Sequence, residues 1–412
     1  MRFQYVSQIR RFLRSLYSGL GKTYVILPSA FLAATGSSII ELGIIFYIKE
    51  IYGATASQVG YFTALWSLSY IIGCVFIRPI FKRFLPRFLL IGSSLFMCLF
   101  ILLILFTNSF MSAIIYYALY GMAMAFFWPP ILGWLSQDTE GARLGKSISY
   151  FNLSWNTGVV VGPFLAGILS AVSPEIPLYT GSFLFLLTVV FIAGASFALP
   201  KVRADRYIDS AENKETSRTD TSTILRFSGW VGMFTTFVVF GVILNIFPVY
   251  AVDDLMLKKE VVGVLMQSRT FLAIFLFIIL GHTTFWHFRI SQMVAGQVLL
   301  ASIIFSMKYF SSLPVLALLV AGAGALRALS YSNSVFHGVS GSINRTGRMA
   351  VHESLLAAGL ICGSLLGGLL YQYYSMDTVY YFCAAIVLLG ALLQSGLFLL
   401  LHKRDERNTG IL

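Results

Sequence analysis

Hydrophobic residues along this chain come in long runs rather than in alternation. Predominantly apolar segments occupy 25–48, 57–79, 87–106, 110–136, 146–171 and 176–199, and then 224–250, 259–281, 289–307, 313–337, 349–371 and 378–401. At 1.5 Å rise per residue, a helix of about 20 residues crosses a hydrocarbon core of about 30 Å. The pattern therefore predicts twelve transmembrane helices in an all-α membrane protein. One long hydrophilic stretch, Lys201 through Thr223, interrupts the series at its midpoint. The expected organisation is an N-terminal six-helix bundle over 1–199, a cytoplasmic linker over 200–223 and a C-terminal six-helix bundle over 224–412.

Composition supports the same class. Only 11% of the residues are charged, against 58% hydrophobic, where soluble domains carry roughly 25% charged residues. So little charge cannot clothe a water-soluble surface of this size. The formal net charge of +12 raises the question of nucleic acid. Its distribution answers no, because the basic residues sit in short gaps between apolar runs, where anionic headgroups and the positive-inside rule place them. With the N-terminus inside, the 29 Lys and Arg residues all fall on the cytoplasmic side except Lys49, Lys258, Lys259 and Lys308 outside and Arg269 and Arg327 within helices. Both termini are thus expected in the cytoplasm. Arg2, Arg10, Arg11, Arg14 and Lys22 precede the first run, which is too long for a signal peptide and reads as a retained first helix. Cys74, Cys98, Cys362 and Cys383 lie inside apolar segments without metal-ligand spacing and read as small buried hydrophobes.

The two halves repeat. A shift of 201 places Gly121 on Gly322, Gly158 on Gly359, Gly162 on Gly363, Gly167 on Gly368 and Asn152 on Glu353, while Val59-Gly60 meets Val262-Gly263 at a shift of 203. Parallel repeats of this kind imply two bundles related by an axis along the membrane normal, with a cleft between them. Gly158, Gly162, Pro163 and Gly167, with Gly359, Gly363 and Gly368, read as structural: missing side chains permit close helix approach, and Pro163 permits a bend.

Twelve helices, a basic loop between the second and third, and the run Gly158-Val159-Val160-Val161-Gly162-Pro163-Phe164-Leu165-Ala166-Gly167 together resemble the major facilitator superfamily. The run is similar to that family's antiporter motif, with Ala166 replacing one glycine. The loop motif D-R-x-G-R-R corresponds to Lys82 through Arg87, where Lys82 replaces the acid and Leu85 the glycine. The R-x-x-x-G pattern of the fourth helix meets Tyr117 before Gly121. Phe127-Trp128-Pro129, Asn152 with Trp155, and His352-Glu353 resemble a bacterial subgroup for which the resemblance names no substrate. The resemblance implies a secondary transporter of the bacterial inner membrane.

Ionisable residues within hydrocarbon are functional candidates by default. Here they are Glu41, Arg269, Arg327 and Glu353, with His352 beside the last. Arg327 reads as an anchor for an anionic group, as the counter-charge of Glu353, or as part of a fixed structural pair. Arg269 divides between the same cavity and structural roles. Glu353 reads as a proton-exchanging group in a cleft of changing water access, or as a brace to Arg345, Arg348 or Arg327; His352 shares the first role. Glu41 belongs to the mouth of the cavity or to an interfacial contact near Lys49. Asn152 and Asn156, four apart on one helix side, are substrate donors or interhelical hydrogen bonds. His282 and His287 lack a third ligand, so no metal is expected. The chain has no Walker-type phosphate loop, no cofactor is expected, and ATP-driven export by this chain alone is excluded.

The leading functional expectation is proton-coupled export of a small organic solute by a monomer whose bundles rock about a central site. Metabolite uptake by symport or uniport is the alternative, as is a non-transporting sensor on the same scaffold. An intramembrane enzyme would want a clustered acid, base or nucleophile, and His352-Glu353 offers too little for one. The expected partners are the solute, protons and membrane lipids.

Overall fold

In the computed structural model, residues 23–81, 84–136, 141–198, 222–342 and 345–408 are described. The basic leader, Lys82, Arg83 and the linker up to Thr221 lie outside them. The N-terminal half comprises α1 (Thr23–Tyr52), α2 (Ala56–Phe81), α3 (Pro86–Phe106), α4 (Phe110–Ala125), α5 (Trp128–Ser136), α6 (Gly141–Val172) and α7 (Ile176–Ala198). The C-terminal half comprises α8 (Leu225–Asn245), α9 (Phe247–Asp253), α10 (Lys259–His282), α11 (Ile290–Ser306), α12 (Leu313–Val339), α13 (Arg345–Tyr373) and α14 (Met376–Asn408).

These form twelve membrane-spanning helices in two pseudo-symmetric six-helix bundles. Two spans are broken by proline. In the fourth, α4 ends before Phe126 and α5 restarts at Trp128 ahead of Pro129; in the seventh, α8 ends before Ile246 and α9 restarts ahead of Pro248. Proline lacks the amide hydrogen that would bond back one turn, so the helix stops and begins again. The shortest span is α11, at 17 residues.

Packing repeats between the halves. The first span lies against the fifth in each, as α1·α6 and α8·α13, and the second against the fourth, as α2·α4 and α10·α12. Two apolar cores form, one mainly in the first half around Ile44, Phe62, Tyr117 and Phe185, the other mainly in the second around Phe240, Phe247, Leu265 and Val379, which also takes in Ile39, Leu42 and Phe46 of α1. The bundles meet along two seams, α6 on α10 and α2 on α13.

Glycines set the closeness of these contacts. A Cβ at Gly158 would meet the Phe31 carbonyl at 2.8 Å, and one at Gly359 would meet that of Phe234 at 2.6 Å. Gly162 rests on Ser38 and Gly363 on Val238 in the same way. The seams use the next glycines: Gly167 lies against Gly263, and Gly368 against Ala56 and Ser57.

One expected pairing is corrected. Gly121 packs on the backbone of Trp66, and the equivalent contact in the second half, on the backbone of Arg269, is made by Gly324 rather than Gly322. The fourth span therefore follows the shift of 203 seen at Val59-Gly60. Gly322 instead faces the side chain of Ile303 on α11.

Candidate functional site

At one end of the bundle pair the loops are short: 53–55 after α1, 173–175 after α6 and 254–258 after α9. This end is tied across the two halves. Lys49 pairs with Asp253, and Glu50 pairs with Lys259. The Lys259 ammonium also donates to the Ser170 carbonyl at 2.9 Å, and the Gln372 side-chain carbonyl accepts from the Ala56 amide at 3.1 Å. With the glycine seams at Gly60–Ser364 and Gly167–Gly263 beside them, these bonds close the end.

Deeper in, a further ion pair joins the halves. Glu41, near the middle of α1, faces Arg269 of α10 with Oε2 3.7 Å from Nη2. Arg269 is 4% exposed, and its Nε donates to the Met266 carbonyl at 3.0 Å. At 3.7 Å the carboxylate lies beyond hydrogen-bond distance, so Coulomb attraction holds this pair without sealing the guanidinium's donors. Arg327 stands beside it. Because Gly324 lets α12 touch the backbone of Arg269, and Arg327 is one turn further along, the two guanidiniums share a level of the molecule. The charge of Arg327 feels both Arg269 and Glu41. Its planar head lies 5.2 Å from the ring centre of Phe240 on α8, while its Nε is buried without a hydrogen-bond partner. Among the described residues no carboxylate pairs with it.

The facing wall is aromatic. Trp66 stacks on Tyr70 and on Tyr117, and Tyr117 on Tyr120, with centroids 5.6 to 6.2 Å apart. Tyr117 and Tyr120 lie within electrostatic reach of Glu41. Under the shift of 203, Trp66 occupies in the first bundle the place that Arg269 occupies in the second. Its indole Nε1 is buried and has no hydrogen-bond partner.

Towards the opposite end the polar line continues. Tyr331, one turn past Arg327, feels both Arg327 and Glu353. Glu353 is exposed, and its charge reaches Tyr70 and Cys74 on α2 of the other bundle. An accessible carboxylate that faces the other half of the molecule lies in the space between the halves. His352, 0% exposed, points elsewhere: its Nδ1 is 2.7 Å from Ser334 Oγ, and its ring meets Tyr331 edge-on at 4.8 Å. Adjacent helix positions differ by about 100°, which separates the two side chains.

Of the sequence candidates, Glu41, Arg269 and Arg327 come together, and Glu353 lies along the same cleft. Arg327 and Glu353 do not pair. Asn156 turns inward, donating to the Asn152 carbonyl at 2.8 Å, while the side chain of Asn152 is exposed. The Trp128 and Trp155 rings meet edge-on at 6.3 Å, joining the break in the fourth span to the fifth. Sequence reading missed three features: the pairing of Glu41 with Arg269, the double ion pair at the short-loop end, and the Trp66–Tyr70 wall. The third had a signal, since the shift of 203 already superposes Trp66 on Arg269. Among the described residues no three His, Cys, Asp or Glu side chains converge as a metal site would need.

Residues 26–340 match the family described as the Major Facilitator Superfamily. No curated protein sequence matches the chain. Among solved structures, the nucleoside transporter NupG superposes with a TM-score of 0.73 at 11% identity, covering 92% of this chain and 99% of that one. A peptide transporter of the POT type, solved with sulfate, gives a TM-score of 0.70 at 12% identity over 91% and 93% of the two chains. A bacterial homologue of the iron transporter ferroportin, in an inward-facing state, gives 0.68 at 15% identity over 91% and 98%.

Proposed function

The chain belongs to the major facilitator superfamily, a family of secondary transporters rather than enzymes, and from that premise we propose that it takes up a small organic metabolite by symport. Secondary transport of a small solute follows from the family and the fold; direction and coupling are the proposal. The expectation of export leaned on the Gly158–Gly167 run. That run is occupied by packing against α1 and α10, a contact that a rocking bundle needs whichever way solute moves. The similar structures named as transporters of nucleosides and peptides favour an organic metabolite as cargo.

The observation that carries the reading is the charged cleft. Glu41–Arg269 joins the halves at mid-depth, ion pairs close the short-loop end, and Glu353 remains accessible toward the other end. Solute enters between the aromatic wall and the two arginines, and Glu353 is the group that takes up and releases the coupled proton. The basic end faces the cytoplasm, which makes the described state open to the inside.

The test is flux in proteoliposomes containing the purified chain. A mixture of labelled metabolites is offered under an imposed inward proton gradient, and then with the gradient collapsed by an ionophore. Uptake that accumulates one solute class and stops with the ionophore is the expected result. Accumulation only when the imposed proton gradient is directed outward would restore export by proton exchange. Equilibration that ignores the gradient would leave uniport.

A further inference from the structure

We infer that the transported solute is a small organic anion, whose carboxylate or phosphate group binds between Arg327 and Arg269 and takes the place of Glu41. The inference rests on the reading of this cleft as the transport site, and it names the chemistry that the site accepts.

The argument is one of unmatched charge and donors. Arg327 is a guanidinium at the centre of a membrane-spanning helix, with no carboxylate partner among the described residues. Its one aromatic contact, with Phe240, satisfies the face of the cation and leaves the N–H edge unmatched, and Nε has no acceptor. A guanidinium withdrawn from water in this way is costly unless an anion completes it. Arg269 is matched in part: Nε is bonded to the Met266 carbonyl, while Glu41 stands at 3.7 Å, too far for a hydrogen bond. Planar guanidiniums bind carboxylate and phosphate through paired donors, and two of them at one level form a site for one such group.

The opposite wall fixes the rest of the molecule. Trp66 and Tyr70, half-buried on α2, offer flat apolar surface with one unpartnered indole N–H, backed by Tyr117 and Tyr120 in the bundle core. A ring or an unsaturated body suits that wall. Cations are disfavoured at this level, because two arginines outweigh the single carboxylate of Glu41.

Binding then has a structural consequence. Glu41 belongs to one bundle and both arginines to the other, so an anion held by the arginines releases a bond between the halves. Solute binding and loosening of the bundle interface become one event, as alternating access requires.

The experiment is equilibrium dialysis of the full chain in detergent, without any gradient and at constant ionic strength. The probes are radiolabelled benzoate, phenyl phosphate and inorganic phosphate, with neutral benzamide as control. Saturable binding of at least one anion and none of benzamide is expected. Arg327→Gln should weaken that binding by about tenfold or more, and Arg327→Lys should weaken it less. Glu41→Gln should tighten it by about tenfold, because the competitor for Arg269 is gone. That last outcome separates competition from a structural role, which would weaken binding or leave it alone, and it holds even if Arg327→Gln fails to fold. Unchanged or weaker binding in Glu41→Gln, unchanged binding in Arg327→Lys and Arg327→Gln alike, or equal binding of benzamide would each overturn the inference. Solute uptake without anion binding would sink the anion class alone; anion binding without any flux would sink the transport reading and leave the site.

Discussion

His352 and Glu353 show at the residue scale how neighbouring side chains can have unrelated work. Glu353 is accessible in the cleft; His352 is buried and hydrogen-bonded to Ser334. In Glu353→Gln the shape and most of the hydrogen bonding persist while the exchangeable charge is gone. The expected outcome is normal insertion and normal solute exchange, with loss of gradient-driven accumulation. Proteoliposomes assayed with and without a proton gradient check it, and retained accumulation would remove Glu353 as the coupling group. His352→Ala is expected to do the reverse. Leaving the Ser334 hydroxyl unpaired in the interior costs about 1–3 kcal/mol, so the melting temperature should fall while the ratio of driven uptake to exchange stays fixed.

Among the elements, glycine positions separate close packing from mere composition. A Cβ at Gly324 would fall on the Arg269 carbonyl, which is backbone and cannot swing aside, whereas Gly194 has nothing within 4 Å. Gly324→Ala should therefore push α12 from α10, separate the two guanidiniums and lower both thermal stability and flux. Gly194→Ala should be neutral or stabilising by up to about 1 kcal/mol, since alanine favours helix. Melting curves of the two purified variants settle the comparison, and equal stability would refute the contact. Gly162→Leu follows the same logic against Ser38 on α1. Overpacking there costs about 1–3 kcal/mol or more and should cut membrane abundance, while Leu187→Ile on an exposed face of α7 should not.

Taken as a whole molecule, the chain is a pair of bundles held shut at one end by exposed charges. Individual pairs of that kind contribute about 0–1 kcal/mol, which suits a gate that must open. Replacing Lys49 and Glu50 together with alanine removes both pairs and should move the population several-fold toward opening at the short-loop end. A cysteine at Ser37, one turn from Glu41 on α1, reports this as faster reaction with an impermeant thiol reagent added outside; an unchanged rate would deny the gate. The same reagent tests orientation. A cysteine at Ser217 in the linker, in a chain cleared of its native cysteines, should react in sealed cells only with a permeant reagent. Labelling by the impermeant one would invert the topology and with it the direction of uptake.

Twelve spans, two halves and the family were legible in the sequence alone, because lipid imposes its demands residue by residue: a span must be long and apolar, and a loop on the inside must be basic. The ionisable positions were legible for the same reason, since Glu41, Arg269, Arg327 and Glu353 stand out against hydrocarbon wherever they point. Partnership was not legible. Glu41 and Arg269 are separated by most of the chain, and Arg327 and Glu353 are nearer in sequence yet unpaired, because the rotation of each helix about its axis is set by glycine contacts with its neighbours. A change of two residues in the repeat, from Gly322 to Gly324, decides which face of α12 meets α10 and so where Arg327 lies. Periodicity gives the faces of a helix, but only the packed bundle decides which face looks into the cleft.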